Sequence, residues 1–148
     1  MIKSMINSGH EISIVSYNLH GINSGESMLR HLVDVSDIIA VQEHWLRDCN
    51  KNVLLCDSND FDMIFSSAMT DDEIIYGRPF GGTAILWRKH CFSNIKHYKM
   101  NSYGRIVCLS FKTVDPVCIY VVLNLYLPCL SNYDEEHQMQ LIECMSFI

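Results

Sequence analysis

The chain has 148 residues, 49% hydrophobic and 19% charged, which fits a globular chain with room for one domain. Its formal net charge of −6 argues against nonspecific coating of nucleic acid, which depends on clustered Lys and Arg, but leaves room for an enzyme that handles a phosphodiester through a metal ion and a few local cations. No apolar stretch reaches the ~18 residues that span a bilayer, and Met1 to Gly9 lacks the apolar core of a signal peptide, so the expectation is a soluble, intracellular protein with no membrane partner.

Ile12-Ser13-Ile14-Val15-Ser16-Tyr17 reads as a strand ending on Asn18-Leu19-His20-Gly21. From Ser27 to Val35, Met28, Leu29, Leu32 and Val33 recur at helical spacing, with Glu26, Arg30, His31 and Asp34 on the other face. Ile38-Ile39-Ala40-Val41 is then a strand buried on both faces, and it stops on Gln42-Glu43-His44. A carboxylate cannot sit in such a core without a partner, because its desolvation costs on the order of several kcal/mol. Glu43 therefore belongs at a rim, where it can hold a cation. A strand, helix, strand unit makes the two strands parallel and brings both carboxyl ends to one sheet edge, so Asn18 and Glu43 share the rim where open α/β sheets bind ligands. The plainer alternative makes Asn18 a turn former before Gly21 and Glu43 a cap.

Phe61 to Ala68 reads as a strand, followed by the acidic loop Thr70-Asp71-Asp72-Glu73. Gly77-Arg78-Pro79-Phe80-Gly81-Gly82 leads into the strand Thr83-Ala84-Ile85-Leu86-Trp87. No Gly-Lys-Ser/Thr follows and the loop opens a strand, which excludes a phosphate-binding loop; the glycines instead permit a tight turn. Arg105 to Phe111 and Val117 to Tyr126 form a predicted antiparallel pair around Thr113-Val114-Asp115-Pro116. On the second of these, Cys118, Tyr120, Val122, Asn124 and Tyr126 share a face, and Pro128 stops the pairing. Ser131 or Asn132 then caps a helix with Asp134, Glu135 and Glu136 in its first turn and Met139, Ile142 and Met145 as its apolar stripe. No Gly, Asn or Pro closes that helix, so the chain reads as cut inside or just after it. Arg78, Arg88, Lys89, Lys96 and Lys99 are the candidate local cations, with solvated loop and strand edge as their ordinary role. The seven cysteines form no Cys-x-x-Cys pair and read as small buried hydrophobes in a reducing compartment. Six or so strands and one early helix predict an α+β or layered α/β sandwich.

Ser16-Tyr17-Asn18-Leu19-His20-Gly21, Val41-Gln42-Glu43, Gly81-Gly82-Thr83-Ala84-Ile85-Leu86 and Asn124-Leu125-Tyr126-Leu127-Pro128 come in the order and approximate spacing of the endonuclease/exonuclease/phosphatase superfamily. Gln42-Glu43-His44-Trp45-Leu46 and Arg78-Pro79-Phe80-Gly81-Gly82-Thr83-Ala84 resemble most the apurinic-type endonuclease domain of non-LTR retrotransposons. The resemblance runs from about Ile12 to Pro128 and implies a DNase I-like, two-sheet α/β sandwich with outer helices.

It also implies magnesium- or manganese-dependent phosphodiester hydrolysis. By matching position, Glu43 is the metal-binding glutamate, Asn18 helps position metal and phosphate, and Tyr126 contacts the scissile phosphate, while a His-Asp pair activates water. Hard cations suit carboxylate and amide oxygens, and magnesium keeps several waters and so needs few protein ligands. DNA is the implied partner, with the nucleus one candidate compartment. His20 departs from the pattern, since many relatives place Asp or Asn two residues after the first asparagine; His44 receives no chemical role and opens a packed turn.

The family's downstream Asp-x-Asn and Ser-Asp-His motifs do not occur. Residues 1–148 thus correspond to the N-terminal part of a single domain, truncated after its first half and expected to be inactive alone. A missing C-terminal half or a reverse transcriptase would belong to a longer product. Roughly the second sheet would be lacking, leaving an apolar face of the first sheet open to water. The alternatives are a phosphatase or phosphodiesterase acting on small or lipid phosphoesters, and a noncatalytic binding fragment.

Overall fold

The computed structural model describes residues 2–5, 11–92, 94–99, 103–112, 119–127 and 135–146. Strands β1 (Ile2–Met5), β2 (Glu11–Asn18), β3 (Ile38–Gln42), β4 (Phe61–Ser66) and β5 (Thr83–Arg88) form one sheet in the order β1-β2-β3-β5-β4. Strands β6 (Lys96–Lys99), β7 (Ile106–Lys112) and β8 (Ile119–Leu125) form a second, antiparallel sheet. Helix α1 (Ile22–Val35) joins β2 to β3, and α2 (Glu135–Met145) follows β8.

The expected parallel pairing of β2 and β3 is present, with Asn18 opposite Gln42. β5 runs antiparallel to β3 and brings Thr83 opposite Gln42, so the Gly81-Gly82 turn reaches the same rim. The run Ile38–Val41 is apolar throughout because both of its faces are covered. Ile39 and Val41 join Leu29, Leu32 and Val33 of α1 in one core cluster, while Ile38 and Ala40 join Val107, Leu109 and Phe111 of the second sheet in the other. Each fully buried aliphatic side chain of this kind contributes roughly 1.5–3 kcal/mol.

Several expectations need correction. The second sheet is not lacking: its three described strands cover the face predicted to be open to water. α1 starts five residues before Ser27, with Gly21 as its N-cap, because Gly25 allows the helix to lie directly on Leu19; a Cβ at Gly25 would stand 2.3 Å from the Leu19 side chain. Met28 of its predicted stripe is exposed. On α2 the predicted stripe Met139, Ile142 and Met145 faces solvent at 63%, 70% and 56% exposure, and Gln140 and Cys144 are buried instead. Beyond Met145, the Ser146 N–H still donates to Ile142 O at 3.0 Å. Cys49 and Cys91 are exposed, whereas Cys108 and Cys144 are buried as predicted. The turn Thr113–Pro116, Cys118, Pro128, Cys129, Ser131, Asn132 and Asp134 lie outside the described residues.

His44 packs the turn after β3. Its ring is fully buried, stacks on Phe65 at 4.3 Å, and lies where a Cβ on Gly82 would come within 2.2 Å. Leu46 N–H donates to its Nδ1 at 3.0 Å, so the proton sits on Nε2, which donates to Ser66 O at 3.2 Å. Burial lowers its pKa from 6.5 to about 4, against the smaller opposing effects of its backbone bonds to Ser66 and Thr83. Between those two values the unfolded chain binds a proton that the native chain does not, so stability falls as pH drops through the window, by on the order of 3 kcal/mol for this group. Urea denaturation between pH 4 and 7 is expected to show a shallower pH slope for His44→Phe than for wild type; an unchanged slope would contradict a buried neutral imidazole.

Candidate functional site

The β2–β3 pairing continues past both strands. Leu19, Gly21 and Ile22 N–H donate to Gln42, Glu43 and His44 O at 2.9, 2.8 and 3.1 Å, tying the rim to the start of α1. The backbone is unusual here: His20, Glu43 and Trp45 hold φ of 49°, 52° and 56°, and Gly21 holds 88°. Side chains other than glycine enter this region at a cost, and such residues collect at functional sites. Gly21 is required, since a Cβ there would stand 2.3 Å from the Trp45 ring.

The strained turns aim side chains at one another. Asn18 Oδ1 accepts His20 N–H at 3.0 Å, and its amide donates to the Glu43 carboxylate. His20 Nδ1 lies 3.1 Å from Glu43 Oε2, and the Tyr126 hydroxyl donates to Glu43 Oε1. Burial raises the pKa of the Glu43 carboxyl, but the hydrogen bonds from Tyr126, Asn18 and His20, with the His20 charge, outweigh it and hold the group below the ordinary carboxylate value. Asn18, Glu43 and Tyr126, predicted as site residues from the sequence, thus meet in one place. Tyr126 reaches it by touching Glu43. Among the described residues no three His, Cys, Asp or Glu side chains converge as a ready metal cage.

The residue that brings Tyr126 there is Asn124. It points the same way two positions earlier on β8, is buried, and donates through Nδ2 to Val41 O and Ala84 O, both at 2.8 Å. Its Oδ1 accepts Gln42 Nε2 at 2.5 Å. One side chain thereby clips the second sheet to β3 and β5 of the first. Sequence reasoning placed Asn124 on the right face without a role; the available signal was an amide on the inward face of an apolar strand.

Of the candidate cations, Arg78 stands at this rim, its guanidinium 5.2 Å over the Trp45 ring. Arg88 lies at the opposite end of the sheet, donating to Val33 O and Ser36 O at 2.8 and 3.0 Å and pairing with Asp37. Lys89 donates to Asn59 O at 3.0 Å, while Lys96 and Lys99 belong to β6 of the second sheet. The cation missed from the sequence is Arg105, which sits 5.5 Å over the Tyr126 ring and donates to Gln140 Oε1 at 2.7 Å. Arg105, Gln140 and Tyr126 line a cleft of about 320 Å³ with Phe80, Tyr103 and the acidic Glu73.

No protein-family model and no curated protein sequence matches the chain. Solved structures do. An AP endonuclease from Leishmania major is similar over 99% of this chain and 50% of its own length, at 13% identity and a TM-score of 0.62. The catalytic domain of APE2 from Xenopus laevis is similar at 16% identity and a TM-score of 0.60, and the 3′ phosphatase NExo from Neisseria, bound to a product DNA hairpin, at 13% and 0.60. Each of these last two covers 92% of this chain and is itself covered over 50%.

Replacing Asn124 by Ala leaves two buried carbonyls and Gln42 short of a partner, and is expected to lower stability by about 2–4 kcal/mol in chemical denaturation. A loss within experimental error would contradict its role as the clip between sheets. The chain spans about half the length of the solved proteins it matches, and it has the DNase I-like fold of these AP endonuclease and 3′ phosphatase structures.

Proposed function

We propose that this chain carries part of the active site of a metal-dependent phosphodiesterase, a DNA endonuclease domain of retrotransposon type. The observation that carries the reading is Glu43, a carboxylate held ionised at a strand-end rim by Asn18, His20 and Tyr126. A carboxylate with an amide beside it fits a hard divalent ion, magnesium or manganese, with Glu43 and Asn18 as its protein ligands. When bound, such an ion stabilises charge on the phosphate oxygens and the leaving group.

The residues then divide the work. Asn18 orients the Glu43 carboxylate and pins the His20 backbone. The Tyr126 hydroxyl, already at Glu43, is placed to donate to a phosphate oxygen that arrives beside it. Arg105, Phe80 and Tyr103 offer a cation and aromatic faces along the neighbouring cleft, the combination that holds a nucleic acid strand. In this proposal the chain by itself is a poor catalyst, with the base that activates water and, in a retrotransposon, the reverse transcriptase belonging to a longer product.

The net charge of −6 favours a second reading, hydrolysis of small or lipid phosphoesters by the same group. Nicking of supercoiled plasmid with magnesium tests the first. The purified chain is expected to nick little, with Glu43→Ala no different; strong Glu43-dependent nicking would overturn the claim of inactivity alone. In a version lengthened to the span of the solved relatives, nicking should appear and fall about 100-fold or more in Glu43→Ala, by loss of the ion that offsets phosphate charge. Activity confined to small phosphoesters would favour the second reading.

A further inference from the structure

The imidazole of His20 is 73% exposed, yet it is not free to wander. The bond from its own N–H to Asn18 Oδ1 fixes the turn, the Ser24 hydroxyl donates to its carbonyl at 2.5 Å, and its φ of 49° is held by both. This built turn delivers Nδ1 to 3.1 Å from Glu43 Oε2. Donor atoms bound at right angles to one ion at about 2.1 Å stand about 3 Å apart, so the pair already has the separation of two ligands on one metal.

We propose that His20 is a nitrogen ligand which, with Glu43, selects a first-row transition ion such as Mn²⁺ or Co²⁺ over Mg²⁺. The inference rests on the metal reading of Glu43 given above. A carboxylate only accepts, so Nδ1 carries the proton in the contact with Glu43. On metal binding Nδ1 releases its proton to water and the ring carries its proton on Nε2, which frees the Nδ1 lone pair for the ion. Imidazole is a good donor for first-row transition ions and a poor one for magnesium, which prefers oxygen. Asn18 Oδ1, which faces the same turn, and water complete the coordination.

The test is calorimetric titration of the full chain with MnCl₂, CoCl₂ and MgCl₂, in wild type, His20→Asn and Glu43→Gln. Asparagine tolerates the left-handed backbone and offers oxygen in place of nitrogen. The expected result is about a tenfold loss of Mn²⁺ and Co²⁺ affinity in His20→Asn with Mg²⁺ changed by less than about threefold, and loss of all three ions in Glu43→Gln. Equal or absent changes across the three ions in His20→Asn, with binding still dependent on Glu43, would overturn the ligand role of His20 and leave the metal site standing. Absence of any Glu43-dependent binding would overturn both.

Discussion

One buried amide holds the two sheets in register at the rim. Asn124 sits where β8 crosses the ends of β3 and β5, and its three hydrogen bonds to Val41, Ala84 and Gln42 are made with groups of the other sheet. Apolar packing between the sheets is strong but has little direction, since Ile38, Ala40, Val107 and Leu109 would tolerate a small slide. Hydrogen bonds to fixed carbonyls do not tolerate it. Alternation along the strand then places Tyr126 on the same side, over Glu43. The geometry of the candidate site is therefore a consequence of a structural contact one residue pair away from it.

The same rim shows why an acid survives at the end of an apolar strand. Desolvation works against the Glu43 charge, and three polar neighbours overcome it. They reach it only because His20, Glu43 and Trp45 accept left-handed backbone, strain that the His44 packing and the extended β2–β3 pairing hold in place. His44, adjacent to Glu43, is by contrast an internal strut. Two neighbouring histidines on one rim, His20 and His44, thus have opposite characters, one exposed against a carboxylate and the other neutral in the core.

Much of this was legible in the sequence. The alternation in Ile12–Tyr17, the unbroken apolar run at Ile38–Val41 and the helical spacing between them predict parallel strands with Asn18 and Glu43 on one edge. The start of α1 was not legible, because Ile22 to Glu26 lacks a helical apolar stripe and its helix depends on the close fit of Gly25 to Leu19. The stripe on α2 misleads for a related reason: periodicity marks Met139, Ile142 and Met145, but the bond from Arg105 to Gln140 turns the other face inward. Asn124 and Gln42 were missed because a pattern in one dimension does not reveal which backbone carbonyls lie across a sheet interface.

The fold is shared with solved proteins of which this chain spans about half the length. Glu43, at the strand-end rim, is poised for a divalent ion. A crystal structure of the chain soaked in MnCl₂, with anomalous scattering from manganese, tests this most directly. One strong anomalous peak is expected about 2.2 Å from a Glu43 oxygen and about the same distance from His20 Nδ1. Glu43 still closed against Tyr126 and His20, with no manganese beside it, would contradict a metal-binding role for this carboxylate.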